Sequence, residues 1–145
     1  MRFMMLMIPK GYEKAEPGAT PDAKAVAAMM KYNESLQKAG VLIALDGLHP
    51  PSTGSRVSFS GGKPTVTDGP FPGAKDLVAG FWLIQVKSKQ QAIDWASRAP
   101  FGEGAEVEIR QVFEASDFPP ELFSPEDAAR EQALRDELQR KAAKP

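Results

Sequence analysis

Short apolar runs alternate with segments of helical periodicity along the first part of the chain. The run at 3–8 is apolar throughout and predicts a buried first strand. Apolar positions then recur at helical spacing up to Gly40, behind Asp22 or Thr20 as candidate caps, which predicts the first helix. The β-branched run at 41–45 follows directly and predicts a second strand.

The same patterns continue beyond the prolines that end the second strand. Gly61 and Gly62 separate two β-favouring segments, which is typical of a hairpin. Ser88 with Gln91 forms a capping box at the start of a second helix, which Pro100 ends. The predicted elements are hairpin strands at 56–60 and 64–67, a strand at 80–86, a helix at 88–99 and a strand at 106–113.

This order of elements predicts an α+β fold of ferredoxin-like type. Its antiparallel sheet would carry both helices on one face, with the small hairpin as an insertion. We expect the domain to cover residues 1–116 and a C-terminal extension to cover 117–145. Ser124 and Pro125 start a charged helix in that extension, with acids four residues before bases. Such a helix is either a solvated tail or a strap across a partner subunit.

The second face of the predicted sheet needs a cover. The first and fourth strands are apolar on both faces. Strict alternation points Leu42, Ala44 and Asp46 away from the helices, and it points Val107, Ile109 and Phe113 toward them. Glu108 and Arg110 then lie on the uncovered face beside Asp46. A second copy packed there would bury the apolar face and form a homodimer; alternatively, Glu108 and Arg110 are simply a solvated ion pair.

Composition narrows the classes of function. The chain has 145 residues, a net charge of −1, no cysteine and one histidine. Near-neutral charge argues against nucleic-acid binding, and no apolar run is long enough for a membrane span, so a cytoplasmic protein is expected. One histidine without cysteine argues against a metal site, and no nucleotide-binding motif occurs, so we expect no cofactor.

Two loops rich in Pro and Gly hold the candidate chemistry. The first contains His49, whose side chain can exchange a proton near neutral pH, and the second contains Asp68 and Phe71. A contact between Asp68 and His49 would form a proton-transfer dyad. The alternatives are that Asp68 stabilises its own loop as an Asx-turn and that His49 is an ordinary surface residue.

Several motifs together resemble the YCII-related, DGPF-domain family. They are Gly47-Leu48-His49-Pro50-Pro51, Val66-Thr67-Asp68-Gly69-Pro70-Phe71, Gly80-Phe81-Trp82-Leu83-Ile84 and Ala92-Ile93-Asp94-Trp95-Ala96, in order between residue 1 and about 114. Asp68 matches the acid of the family. Lys75 and Asp76 match the end of a charged run that follows it, although Pro72 and Gly73 replace the residues before them.

The resemblance implies a dimeric α+β barrel related to small cofactor-free enzymes such as muconolactone isomerases. A His–Asp pair is proposed as catalytic in the YCII branch; Asp68 matches its acid, and His49 stands where many DGPF members carry Gln or another polar residue. We therefore expect a cofactor-independent enzyme acting on a small organic molecule, or a non-catalytic ligand-binding or accessory module, since DGPF domains occur with extracytoplasmic-function sigma factors. In the enzyme hypothesis Asp68 is the base and His49 the acid or orienting group. The side chains expected to bind the ligand are Asp46, Phe71, Lys75, Trp82 and Arg110.

Overall fold

Strands and helices follow one another in the order that the sequence predicts. The computed structural model describes residues 1–143, which divide into two units between Val112 and Phe113. The first unit contains β1 (Arg2–Ile8), α1 (Ala23–Lys38), β2 (Leu42–Gly47), β3 (Ser55–Ser60), β4 (Lys63–Asp68), β5 (Gly80–Gln85), α2 (Lys89–Ala96) and β6 (Glu106–Gln111). The second contains α3 (Pro125–Ala142).

The main sheet has the strand order β2-β5-β1-β6, and its neighbouring strands are antiparallel. Strands β3 and β4 form a separate two-stranded sheet. The core lies on one face of the main sheet, where alternate residues of β1 and β5 pack under both helices. Its buried members are Phe3, Met5, Tyr32, Leu36, Trp82, Ile84, Val86 and Ala92. The predicted ferredoxin-like α+β fold is confirmed.

Side-chain caps fix where the two sheet-covering helices begin. The Asp22 carboxylate accepts a hydrogen bond from the Ala25 amide at 2.7 Å, so Asp22 is the cap of α1. The Ser88 hydroxyl accepts from the Gln91 amide at 3.2 Å, and the Gln91 side chain accepts from the Lys87 amide at 2.9 Å. Both caps satisfy amides that have no partner within a first helical turn.

Strand β2 departs from the strict alternation expected of it. A register shift lies between Leu42 and Ala44, so Leu42 pairs with Ile84 and packs against the core. The prediction that Leu42 points away from the helices is therefore wrong. Ala44 and Asp46 pair with residues of the opposite face, as expected, because the irregularity at Ile43 resets the alternation.

The second unit contains a short aromatic cluster and the charged helix. Strand β6 ends at Gln111, and Phe113 is 69% exposed with its ring centroid 5.0 Å from that of Phe118. The prediction that Phe113 faces the sheet core is wrong, because the strand ends before reaching it. Helix α3 begins with the expected cap at Ser124, and its ion pairs include Glu131–Arg135 and Glu137–Lys141.

The buried hydroxyl of Tyr32 predicts a loss of stability at high pH. It donates a hydrogen bond to the Trp95 carbonyl at 2.7 Å, and burial raises the pKa of Tyr32 to about 12, against a small lowering by Arg98. The stabilising contribution of the neutral hydroxyl is complete below the unfolded-state pKa of about 10 and is lost as pH rises toward 12.

We expect Tyr32→Phe to lower the free energy of unfolding by about 1 kcal/mol at pH 7. Between pH 10 and 12 the wild type should lose about 2 kcal/mol more than the variant, which has no such proton to lose. Urea unfolding of both proteins across this range measures the difference. If the difference in unfolding free energy between the two proteins stays constant from pH 9 to 12, the pKa of Tyr32 is not raised by folding.

Candidate functional site

A two-residue turn sets the register of the β3–β4 hairpin. Gly61 and Gly62 have φ values of 59° and 78°, the left-handed geometry that favours glycine in such turns. Pairing continues without a shift from Ser60–Lys63 at the turn to Ser55–Asp68 at the base. The turn therefore places Ser55 directly beside Asp68, at the point where the hairpin joins the rest of the first unit.

Asp68 lies at a tight crossing between the two loops rich in Pro and Gly. Its carboxylate Oδ1 accepts a hydrogen bond from the Ser55 hydroxyl at 2.6 Å. The next amide, that of Gly69, donates to the Gly54 carbonyl at 2.8 Å. A Cβ on Gly69 would lie 1.9 Å from the Pro51 carbonyl oxygen, so only glycine fits at this position. The close approach holds the Asp68 loop against the loop that carries His49.

A solvent-open cleft of about 920 Å³ lies along these two loops. Most of its wall is apolar, and polar side chains converge on it from the turn after His49 and from the base of β3. It is lined by Leu48, His49, Pro50, Pro51, Thr53, Gly54, Ser55, Arg56, Phe71, Leu77 and Val78. The structure thus brings the predicted residues His49 and Phe71 together in one cleft.

The cleft also contains a positively charged side chain, that of Arg56, which the sequence analysis did not select. The guanidinium of Arg56 stacks over the Phe71 ring, with 4.2 Å between its central carbon and the ring centroid. The planar fork of N–H donors on a guanidinium suits the two oxygens of a carboxylate. Arg56 is the second residue of β3, and the pairing fixed by Gly61 and Gly62 would have placed it at the hairpin base.

The structure does not make Asp68 and His49 direct partners. In the part of the chain that the structure describes, the hydrogen bonds and ion pairs include none between these two side chains, and both residues are exposed. Ser55 connects the two positions, because its hydroxyl binds Asp68 and it lines the same cleft as His49. The arrangement is a bonded Ser55–Asp68 pair beside the cleft with His49 on its wall.

Asp46 and Arg110 lie on the face of the main sheet opposite the helices, as the alternation predicts. The strand pairing forms one row of Asp46, Phe81, Leu6 and Glu108, and a second row of Ala44, Leu83, Met4 and Arg110. Asp46 is on one edge strand and Arg110 is on the other, roughly 16 Å apart across three strand spacings and one row. Arg110 lies 3.5 Å from Glu108 in an exposed ion pair.

The other two predicted ligand-binding residues lie outside the cleft. Trp82 is buried on the helix-covered face, and its indole N–H donates to the Asn33 side chain at 2.8 Å. Its ring also contacts Tyr32 edge-on, with 5.6 Å between ring centroids. Lys75 is exposed in the segment between β4 and β5. The structure therefore gives Trp82 a place in the core and brings neither residue to the cleft wall.

Tyr12 is a further residue near the cleft that the sequence analysis missed. Its hydroxyl donates to the carbonyl of Leu48, the residue before His49, and burial raises the pKa of Tyr12. The bond connects the turn Tyr12–Lys14 to the rim of the cleft. No local pattern signals it, because the two residues are 36 positions apart.

A comparison with protein families finds a match that covers most of the chain. The model of the YCII-related domain matches residues 1–116. The chain belongs to the YCII-related family. No curated protein sequence matches this YCII-related chain. Within residues 1–143, no helix is long and apolar enough to cross a membrane, and no group of three or more acidic or histidine side chains could hold a metal ion.

Because Gly69 lies so close to Pro51, a single methyl group added at position 69 should lower the stability of the protein. We expect Gly69→Ala to lower the free energy of unfolding by about 1–3 kcal/mol, because its Cβ would overlap the Pro51 carbonyl. Gly102→Ala is the matched control, since a Cβ there meets no atom within 4 Å. Chemical denaturation of both variants tests this; equal stabilities would show that the loops separate at no cost.

Proposed function

We propose that this YCII-related protein is a homodimer that binds a small organic anion, such as an aromatic carboxylate, in the cleft beside β3. The observation that carries the proposal is the Arg56 guanidinium stacked on Phe71 in a mainly apolar cleft. Ligand sites are typically apolar concavities with a few convergent polar groups, and this cleft has that composition.

The chemistry of the cleft favours an anion with a hydrocarbon part. Arg56 carries a permanent positive charge, and its fork of N–H donors matches the two oxygens of a carboxylate. Leu48, Leu77 and Val78 supply apolar surface for the remainder of the ligand. Thr53 and the His49 ring add polar groups on the same wall, so a ligand of mixed character could satisfy both parts of the lining.

The sheet face opposite the helices supports the homodimer. In the two rows that cross it, Met4, Leu6, Phe81 and Leu83 occupy the central strands β1 and β5, and the charged residues lie on the edge strands. An apolar centre with a polar rim is the usual organisation of a protein interface. The same arrangement is what the resemblance to dimeric α+β barrels implies, with Asp46 and Arg110 at the margins of the enclosed space.

Removing the charge of Arg56 should weaken the binding of an aromatic carboxylate more than removing another positive charge of the hairpin does. We expect Arg56→Gln to raise the Kd for benzoate or salicylate at least tenfold, because it removes the charge-assisted hydrogen bonds to the carboxylate. Lys63→Gln is the control, since it makes the same change of charge at the hairpin turn. Isothermal titration or ligand-observed NMR measures both. Unchanged affinity in Arg56→Gln, or equal weakening in both variants, would contradict the site.

A second candidate function is cofactor-independent acid–base catalysis by Asp68 and His49. The observation that favours it is the Ser55–Asp68 hydrogen bond at the cleft, which engages Oδ1 and leaves Oδ2 as the oxygen that could take a proton. For an enolisable acid, Asp68 would remove a proton from the carbon beside the carbonyl, and His49 would give a proton to the carbonyl oxygen, forming an enol. The alternative is a non-catalytic ligand-binding or accessory module, including one that acts with a sigma factor.

Hydrogen–deuterium exchange of a bound acid separates these alternatives. If the protein is catalytic, it should accelerate exchange at C3 of phenylpyruvate in D2O above the buffer rate. Asp68→Asn and His49→Gln should then reduce that acceleration at least 100-fold while changing the Kd less than threefold. NMR of the phenylpyruvate signal provides the measurement. Binding without acceleration by the wild type would favour the non-catalytic module.

A further inference from the structure

The β3–β4 hairpin has one apolar face that nothing in the first unit covers. The cross-strand pairs Val57–Val66 and Phe59–Pro64 share this face, whereas Ser58 pairs with Thr65 on the other. Val57 is 53% exposed, Val66 is 64% exposed and Phe59 is 80% exposed. Because the apolar residues are sorted onto one face and remain exposed, that face has the character of a contact surface.

An isolated two-stranded sheet is only marginally stable in water. Neither β3 nor β4 pairs with the four-stranded sheet. The hairpin is held at its base by the Ser55–Asp68 hydrogen bond and by the bond from the Gly69 amide to the Gly54 carbonyl. The rest of the hairpin would gain stability from a surface that covers Val57, Phe59 and Val66.

The area of the proposed dimer interface identifies the occupant. From strand length and spacing, the face of the main sheet opposite the helices has a flat footprint of roughly 400 Å². A stable interface buries about 800 Å² of accessible surface per partner, and the side chains at the centre of this face are already half-buried, so the sheet face alone supplies only part of that area. The apolar face of the hairpin adds a footprint of roughly 200 Å² by the same measure. In a two-fold dimer each chain contributes its hairpin, so the additional contact forms twice.

We propose that the apolar face of the β3–β4 hairpin packs against a second copy of this chain and extends the sheet-face interface. This inference rests on the proposed homodimer. It has a consequence for the ligand site, because Ser55 and Arg56 lie both at the base of the hairpin and on the wall of the cleft. Dimerisation would then hold in place the hairpin that carries Arg56, the residue proposed to bind the ligand.

Sedimentation equilibrium of the full chain tests the contact. The double variant Phe59→Ser with Val66→Thr keeps residues compatible with a strand but removes the two most exposed apolar side chains of the face; we expect it to raise the dimer Kd at least tenfold. The matched control is Ser58→Thr with Thr65→Ser on the opposite face, which should leave the Kd within twofold. Equal dimer Kd values for the wild type and the first variant would overturn the proposal.

Hydrogen exchange of the wild-type protein gives a second measurement that needs no variant. Amides of residues 57–66 should gain protection as the concentration is raised through the dimer Kd. A wild type that stays monomeric at all concentrations would refute the homodimer itself. A wild type that dimerises without protecting the hairpin, whether or not the variant folds, would refute the hairpin contact and leave the sheet-face dimer standing.

Discussion

The one-sided packing of the main sheet is the constraint on which the other features depend. Both helices cover the face that carries Met5, Trp82 and Ile84, and Trp82 is fixed there by its hydrogen bond to Asn33. The same two central strands place Leu6 and Leu83 on the opposite face. Because neighbouring residues of a strand alternate between faces, apolar strands buried on one side present apolar side chains on the other. The apolar composition of β1 and β5 is thus the basis of the proposed homodimer.

The cleft depends on a second constraint, which is backbone contact between loops. The fit of Gly69 against Pro51 leaves no room for a side chain, and the hydrogen bond between Ser55 and Asp68 closes the adjacent hairpin base. Prolines near His49 restrict the other loop. Arg56, the positively charged residue of the proposed ligand site, therefore lies next to the anchored base of its hairpin, which would reduce the entropy lost if a ligand binds there.

Local patterns were sufficient to predict the elements and their order, because strand alternation and helix caps depend on near neighbours. The register of the hairpin could also be predicted from the sequence, since the two glycines of the turn determine that Ser55 pairs with Asp68. Other features depend on distant contacts. The shift at Ile43 and the end of β6 before Phe113 follow from pairing between strands, and the place of Trp82 follows from helix packing. The ligand-binding role of Lys75 and the catalytic roles of Asp68 and His49 stay predictions.

The adjacency of Ser55 and Asp68 has a further consequence for how this fold tolerates change. The hairpin leaves and re-enters the first unit at neighbouring positions, so its length does not alter the span that the flanking loops must close. Insertions at exposed turns of this kind leave a scaffold intact more readily than changes within its core. The length of the β3–β4 hairpin can thus change while the four-stranded sheet stays the same.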